Sequence, residues 1–214
     1  MTAIEGIGTM NVALSIVNRY SNQPQEANLS CGSNLDLVNI QPTDVIIDLG
    51  SGRGNETIKA AQIAVRGKVF GIDITPKMLD AASNRAKDLG VPNAKFILGS
   101  LDRLPFDNDF ADLVISNCAI NHVKDKARVY CEIFRVLKTG GQFVVSDIMS
   151  GEKLPDSISE DPEAIAACFG GAIPSDEYFE SIRSAGFSQV EILRERHYMK
   201  NGFGLISRTL RVYK

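Results

Sequence analysis

The stretch DVIIDLGSGRGNETIKAAQIAV, residues 44–65, changes its periodicity halfway along, and that change sets the fold. Its first half is a β-branched run that reads as a buried strand. From Asn55 onward the apolar residues are spaced as on one face of a helix. Gly50, Gly52 and Gly54 lie between the halves in a G-x-G-x-G turn. Strand, tight turn and helix together open a βαβ unit, which sets parallel strands side by side.

The alternation continues along the chain. KVFGID (68–73) reads as a second strand, and TPKMLDAASNRAKDLG (75–90) as a helix with a Thr cap, Pro in its first turn and a Gly stop. AKFILG, ADLVISN and GQFVVSDI supply further strands; KARVYCEIFRVLK and SDEYFESIRSAG supply helices. SQVEILRERHYM and LISRTLRVYK close the chain as two alternating runs suited to an antiparallel pair at a sheet edge. The expected fold is α/β: a doubly wound, Rossmann-like sheet of about seven strands with an antiparallel last strand. No repeat, low-complexity tract or linker breaks the pattern, so residues 1–214 are expected to form a single domain. Residues 1–43, helical around MNVALSIVNRY and NLDLVNI, are expected to cover the ligand edge of a core spanning 44–214.

Composition narrows the function. A chain of 214 residues, 44% hydrophobic and 23% charged, has the makeup of a soluble globular domain. The net charge is −3 and its cations are scattered. That gives no basic stripe for a nucleic acid, so a small-molecule substrate is expected. The opening MTAIEGIGTM lacks the marks of a signal peptide, and no run approaches the roughly 20 apolar residues of a membrane span. A cytoplasmic location without membrane contact is the expectation. Cys31, Cys118, Cys131 and Cys168 form no C-x-x-C pair and are expected as free thiols.

The glycine turn points to a ligand. Asn55 stands where a dinucleotide fingerprint wants its third glycine, and no P-loop Lys is present. Glycines at Gly50 and Gly52, flanking Ser51, let backbone approach a ligand closely. Asp48 beside them suits an amine-bearing group better than a phosphate. Asp73, ending the second strand, can accept hydrogen bonds from both hydroxyls of a ribose. Two acids, a glycine turn and no phosphate clamp point to S-adenosylmethionine (SAM).

These residues resemble those of the class I SAM-dependent methyltransferases over nearly the whole chain. FILGSLDRLPFDNDFADLVISN (96–117) looks like the next segments of that family. The resemblance implies Leu101 and Asp102 at the adenine, Ile74 packed on the ring or ribose, and Asn117 near the cofactor's amino acid end.

Three of the sulfurs are placed to matter. Cys118 lies two residues past ADLVIS, at the strand end where ligands bind in such sheets. Cys168 occupies the long connection after GQFVVSDI, leaving from the same edge, and Cys31 belongs to the amino-terminal cover. These thiols can meet above the methyl donor. Cys131, in a helical run, reads as core filler.

SNCAINHVKD, CFGGAIPSDEYFESIRSAGF and LSCGSN each resemble segments of the arsenite methyltransferase family, and the finish ISRTLRVYK resembles its compact bacterial members. The resemblance implies Cys118 and Cys168 as primary As(III) ligands and Cys31 as third or resolving thiol. As(III) would be the substrate, with no resident metal cofactor. Soft thiolates suit that centre. Its lone pair can attack the sulfonium methyl in line without a general base. A thiol pair can then return arsenic to the trivalent state by closing a disulfide, which thioredoxin or glutathione would reopen. The alternative is a methyltransferase for a small organic metabolite, with His122 as base for an O, N or C nucleophile. A noncatalytic SAM- or As(III)-binding module is a third reading. His197, in an alternating strand, reads as surface or edge.

Overall fold

The computed structural model of the chain describes residues 3–23 and 34–214. Helix α1 (Ala3–Ser21) comes first, followed by a 3-10 turn at Leu35–Leu37 where NLDLVNI suggested more helix. The βα alternation then runs β1 (Val45–Leu49), α2 (Asn55–Ile63), β2 (Lys68–Asp73), α3 (Pro76–Asp88), β3 (Ala94–Leu98) and β4 (Ala111–Asn117). It continues with α4 (Lys126–Val136), β5 (Leu137–Ser150), the short helices α5 (Asp156–Ser159) and α6 (Pro162–Ala166), and α7 (Ser175–Ser184). β6 (Val190–Lys200) and β7 (Phe203–Tyr213) complete it. No helix among the described residues is long and apolar enough to cross a membrane.

The seven strands form one sheet in the order β3-β2-β1-β4-β5-β7-β6. β1 to β5 pair in parallel, whereas β7 pairs antiparallel with both β5 and β6, as the closing runs suggest. The order reverses between β1 and β4: the chain winds outward from β1 through β3, then returns to build the other half. At such a reversal the loops leaving the two central strands part and leave a crevice at their carboxyl ends.

Successive residues of β1 serve opposite faces, as a pleated strand requires. Ile46 packs with Ile58 and Ala61 of α2 and Ala86 of α3; Ile47 packs in the larger core with Tyr130 and Ile133 of α4 and Tyr178 of α7. The rings of Tyr130, Phe143 and Tyr178 meet edge to face, with centroids 5.8–6.0 Å apart. Cys131 corrects one expectation: it is exposed, because the buried stripe of α4 runs through Val129, Tyr130, Ile133 and Val136 and leaves position 131 off that face. His197 is exposed on β6, as its pattern implied.

Phe143→Ala should destabilise the fold by about 3–5 kcal/mol. A denaturant titration is expected to show a lower midpoint with an unchanged slope.

Candidate functional site

The turn after β1 folds back on β2: the N–H groups of Gly50 and Ser51 both donate to Ile72 O, at 2.8 and 3.0 Å. Gly50 has φ +73°, and a Cβ there would collide with Cβ of Ala119, in the turn after β4. Its missing side chain therefore admits contact between the two loops. Gly52 differs, since nothing lies within 4 Å of where its Cβ would stand. Ser51 is buried, and its Oγ has no hydrogen-bond partner among the described residues.

Two carboxylates flank this turn. Asp48 is buried at the end of β1, where Thr57 Oγ1 donates to its Oδ2 at 2.6 Å. Burial, and then the charge of Glu56, push its carboxyl up to about 7. Asp73 accepts from Gly52 N at 2.9 Å on Oδ2 and from Thr75 N at 2.8 Å on Oδ1. Burial raises its pKa too, against those hydrogen bonds. Each oxygen keeps a further lone pair.

Ile74, next to Asp73, is an apolar side chain left 37% exposed. Leu101 is buried in the main core cluster. Asp102 accepts the Ser100 hydroxyl and, through its backbone carbonyl, Arg128 Nε at 3.1 Å. Asn117 ends β4 opposite Ser146. Thus the structure lines up Asp48, the glycine turn, Asp73, Ile74, Asp102 and Asn117 along the carboxyl edge of four strands, with Leu101 packed inward.

The turn after β4 carries Cys118 at φ +55°, and Cys168 sits at φ +68° after α6. Both are left-handed conformations that side-chain-bearing residues rarely hold unless their surroundings impose them. Local sequence explains the second. Asp161 caps α6, accepting from Glu163 N and Ala164 N, with Pro162 in the first turn. The helix stops after Ala166, and Phe169–Gly171 form a 3-10 turn pressed onto the β4 loop. A Cβ on Gly171 would collide with Asn121 O.

That contact brings the sulfurs' segments together. Cys168 Sγ donates to Cys118 O at 3.1 Å, across 50 residues of sequence, within one apolar cluster that includes Phe169, Leu154 and Leu205. Cys168 is a free thiol, and burial pushes its pKa up to about 12. Cys118 is disulfide-bonded, which corrects its expectation as a free thiol: spacing along the chain does not report which sulfurs meet in space. Cys31 lies outside the described residues. Among the described residues no three His, Cys, Asp or Glu side chains form a metal-binding group.

Two residues at this edge carry roles the sequence reading missed or weighed lightly. Asn34 is fully buried: its N–H donates to Glu56 Oε1, its Nδ2 to Ser116 O, and Ser146 Oγ donates to its Oδ1, all within 2.5–2.7 Å. Tyr20 reaches down from α1, its Oη 3.1 Å from His122 Nε2. Neither position has a local motif, since each acts only on residues distant in sequence. Burial holds His122 neutral, its pKa lowered to about 4.

The methyltransferase domain family matches residues 40–196. The arsenite methyltransferase of Halobacterium salinarum is 34% identical over 165 residues, covering 77% of this chain and 42% of its own length. A ubiquinone/menaquinone biosynthesis C-methyltransferase of Vibrio vulnificus is 32% identical over 113 residues, covering 52% of this chain and 44% of its own length. The chain thus spans less than half the length of these curated relatives. The crystal structure of an arsenic(III) S-adenosylmethionine methyltransferase from Chlamydomonas reinhardtii superposes with a TM-score of 0.78 at 29% identity, covering 94% of this chain and 73% of that one. With residues 40–196 matched and the sheet order β3-β2-β1-β4-β5-β7-β6 in place, the chain belongs to the methyltransferase domain family and has the class I SAM-dependent methyltransferase fold.

Proposed function

We propose that the protein transfers methyl groups from SAM to thiol-bound trivalent arsenic. The observation that carries this reading is the meeting of Cys168 Sγ with the Cys118 backbone at the carboxyl edge of the sheet, beside the glycine turn. The similarity to arsenite methyltransferases supports it.

The residues of the crevice fit SAM. Asp73 has lone pairs left for the ribose hydroxyls, the exposed Ile74 offers an apolar surface for the ring, and Asp102, past the end of β3, is the residue we assign to the adenine. Gly52 leaves the backbone bare, and the orphaned Ser51 hydroxyl gains a partner from a polar ligand. Asp48 and Asn117 lie where the amino acid end would rest, and a cation near Asp48 offsets the burial that raises its pKa. When bound, SAM supplies an electrophilic methyl on a sulfonium centre.

On this reading Cys118 and Cys168 hold arsenic, with Cys31 as third or resolving thiol. The raised pKa of Cys168 is no obstacle, because arsenous acid exchanges an As–O bond for an As–S bond and each thiol proton leaves with a hydroxyl as water. The thiols fix the arsenic lone pair toward the methyl group, and the apolar cluster around them excludes water. Attack makes arsenic formally pentavalent as the donor sulfur takes the C–S electron pair. Two thiolates then return two electrons to arsenic by forming an S–S bond, and an external thiol such as glutathione or thioredoxin reopens it. Because Cys118 is disulfide-bonded, the same external thiol must open that bond before its sulfur can take arsenic. An organic acceptor deprotonated by His122 has less support, because Nε2 faces Tyr20 Oη and Cys168 Sγ.

Incubation with SAM, arsenite and glutathione, followed by arsenic speciation, should give methylated arsenicals. Cys118→Ser and Cys168→Ser should each reduce them to background, and omission of thiol should stop turnover. Methylation retained at the parent rate in both variants would remove the arsenic assignment.

Asp48 gives a separate test of the cofactor end. Its folded pKa near 7 exceeds the unfolded value of about 4, so the folded state binds its proton more tightly. The stability this contributes is present below about pH 4 and is lost as pH rises through 7. Asp48→Asn should therefore raise the melting temperature at pH 8, with the difference shrinking toward pH 4, while weakening SAM binding about tenfold by calorimetry.

A further inference from the structure

His122 faces Cys168, which the proposed chemistry uses, and Tyr20, which it leaves unexplained. Its Nδ1 lies 2.9 Å from Ile165 O, an acceptor only, so Nδ1 carries the hydrogen and Nε2 presents a lone pair. Tyr20 Oη stands 3.1 Å from Nε2 and Cys168 Sγ stands 3.4 Å from it. His122 Nδ1 then donates to Ile165 O and Cys168 Sγ to Cys118 O, while the Tyr20 hydroxyl lies within reach of both Nε2 and, at 3.8 Å, Cys168 Sγ. Ile165 O also accepts from Cys168 N at 2.9 Å. The carbonyl that His122 grips is therefore the one that closes the left-handed turn at Cys168.

From this geometry we infer that His122 and Tyr20 are positioning residues for Cys168. They fix the strained turn and the direction of its sulfur, and so bind the loop after α6 to the turn after β4. The inference deepens the arsenic reading and rests on it only for its kinetic consequence. The strain makes such support necessary: a cysteine at φ +68° relaxes unless neighbours over-determine it. His122 is on the turn of Cys118, Ile165 is on α6, and Tyr20 is on α1, so three separate segments converge on Cys168: Ile165 on its backbone N–H, His122 and Tyr20 on its sulfur. The Tyr20 and His122 rings also meet edge to face at 5.6 Å, which keeps α1 seated when only the hydroxyl is removed.

The test uses the full chain, reduced, with His122→Leu, Tyr20→Phe and His122→Asn. The first removes both polar contacts at similar volume, and the second removes one hydroxyl. The third keeps a donor where Nδ1 stood. Alkylation of Cys168 by iodoacetamide, read by mass spectrometry against the exposed Cys131, should quicken about fivefold in His122→Leu, consistent with losing hydrogen bonds of ordinary strength. Tyr20→Phe should show a smaller rise, and His122→Asn should return toward the parent ratio. In turnover, KM for arsenite should rise in the same order while kcat changes less than about twofold. Parent-like alkylation ratios in all three variants would overturn the inference. If the parent methylates no arsenic but the alkylation order holds, the arsenic reading fails and the positioning role stands.

Discussion

The site exists because the strand order of the sheet turns back on itself between β1 and β4. Right-handed crossovers carry the chain one way from β1 to β3 and the other way from β4 to β5, so the loops leaving the two central strands separate. Whatever those loops carry is placed at one edge. β1 delivers Asp48 and the glycine turn; β4 delivers Asn117 and Cys118. The loops still touch at their bases, where Gly50 admits Ala119. That contact fixes the distance between the half of the crevice that fits a nucleoside and the half that holds sulfur.

Burial is what gives these groups unusual properties. Asp48, Asp73, His122 and Cys168 all have pKa values displaced toward their neutral forms, and desolvation is the largest cause in each. A charged ligand entering the carboxylate half regains interactions the protein withholds from water. In the sulfur half, the neutral Cys168 thiol in its apolar surroundings favours a soft, neutral partner over a hydrated cation. The same crevice thus supports two opposite demands through local differences in its lining.

Much of this was legible in the sequence, for reasons that differ by residue. The β1 strand, its turn and α2 could be read because periodicity and glycine chemistry are local. Asp73 could be placed because it ends a strand whose neighbour was already fixed. Cys118 and Cys168 could be assigned to one edge because topology alone decides which strand ends share it. Where the reading failed, the cause was geometry within an element or contact between distant ones. Cys131 reads as core from the helical period of its run, yet on α4 it lies off the face formed by Val129, Tyr130, Ile133 and Val136. That Gly50 must lack a Cβ to admit Ala119, 69 residues later, is likewise invisible in the local sequence. Tyr20 and Asn34 act through partners 102 and 82 residues away, and no local pattern reports such contacts.

The proposed chemistry depends on arsenic bonded to protein sulfur at the edge where Cys118 and Cys168 meet. X-ray absorption at the arsenic edge, on reduced protein loaded with one equivalent of arsenite, reads that bonding directly. A first shell of sulfur alone, with oxygen replacing one sulfur in Cys168→Ser, is the expected spectrum. An oxygen-only shell in the parent protein, or one that Cys168→Ser leaves unchanged, would contradict it.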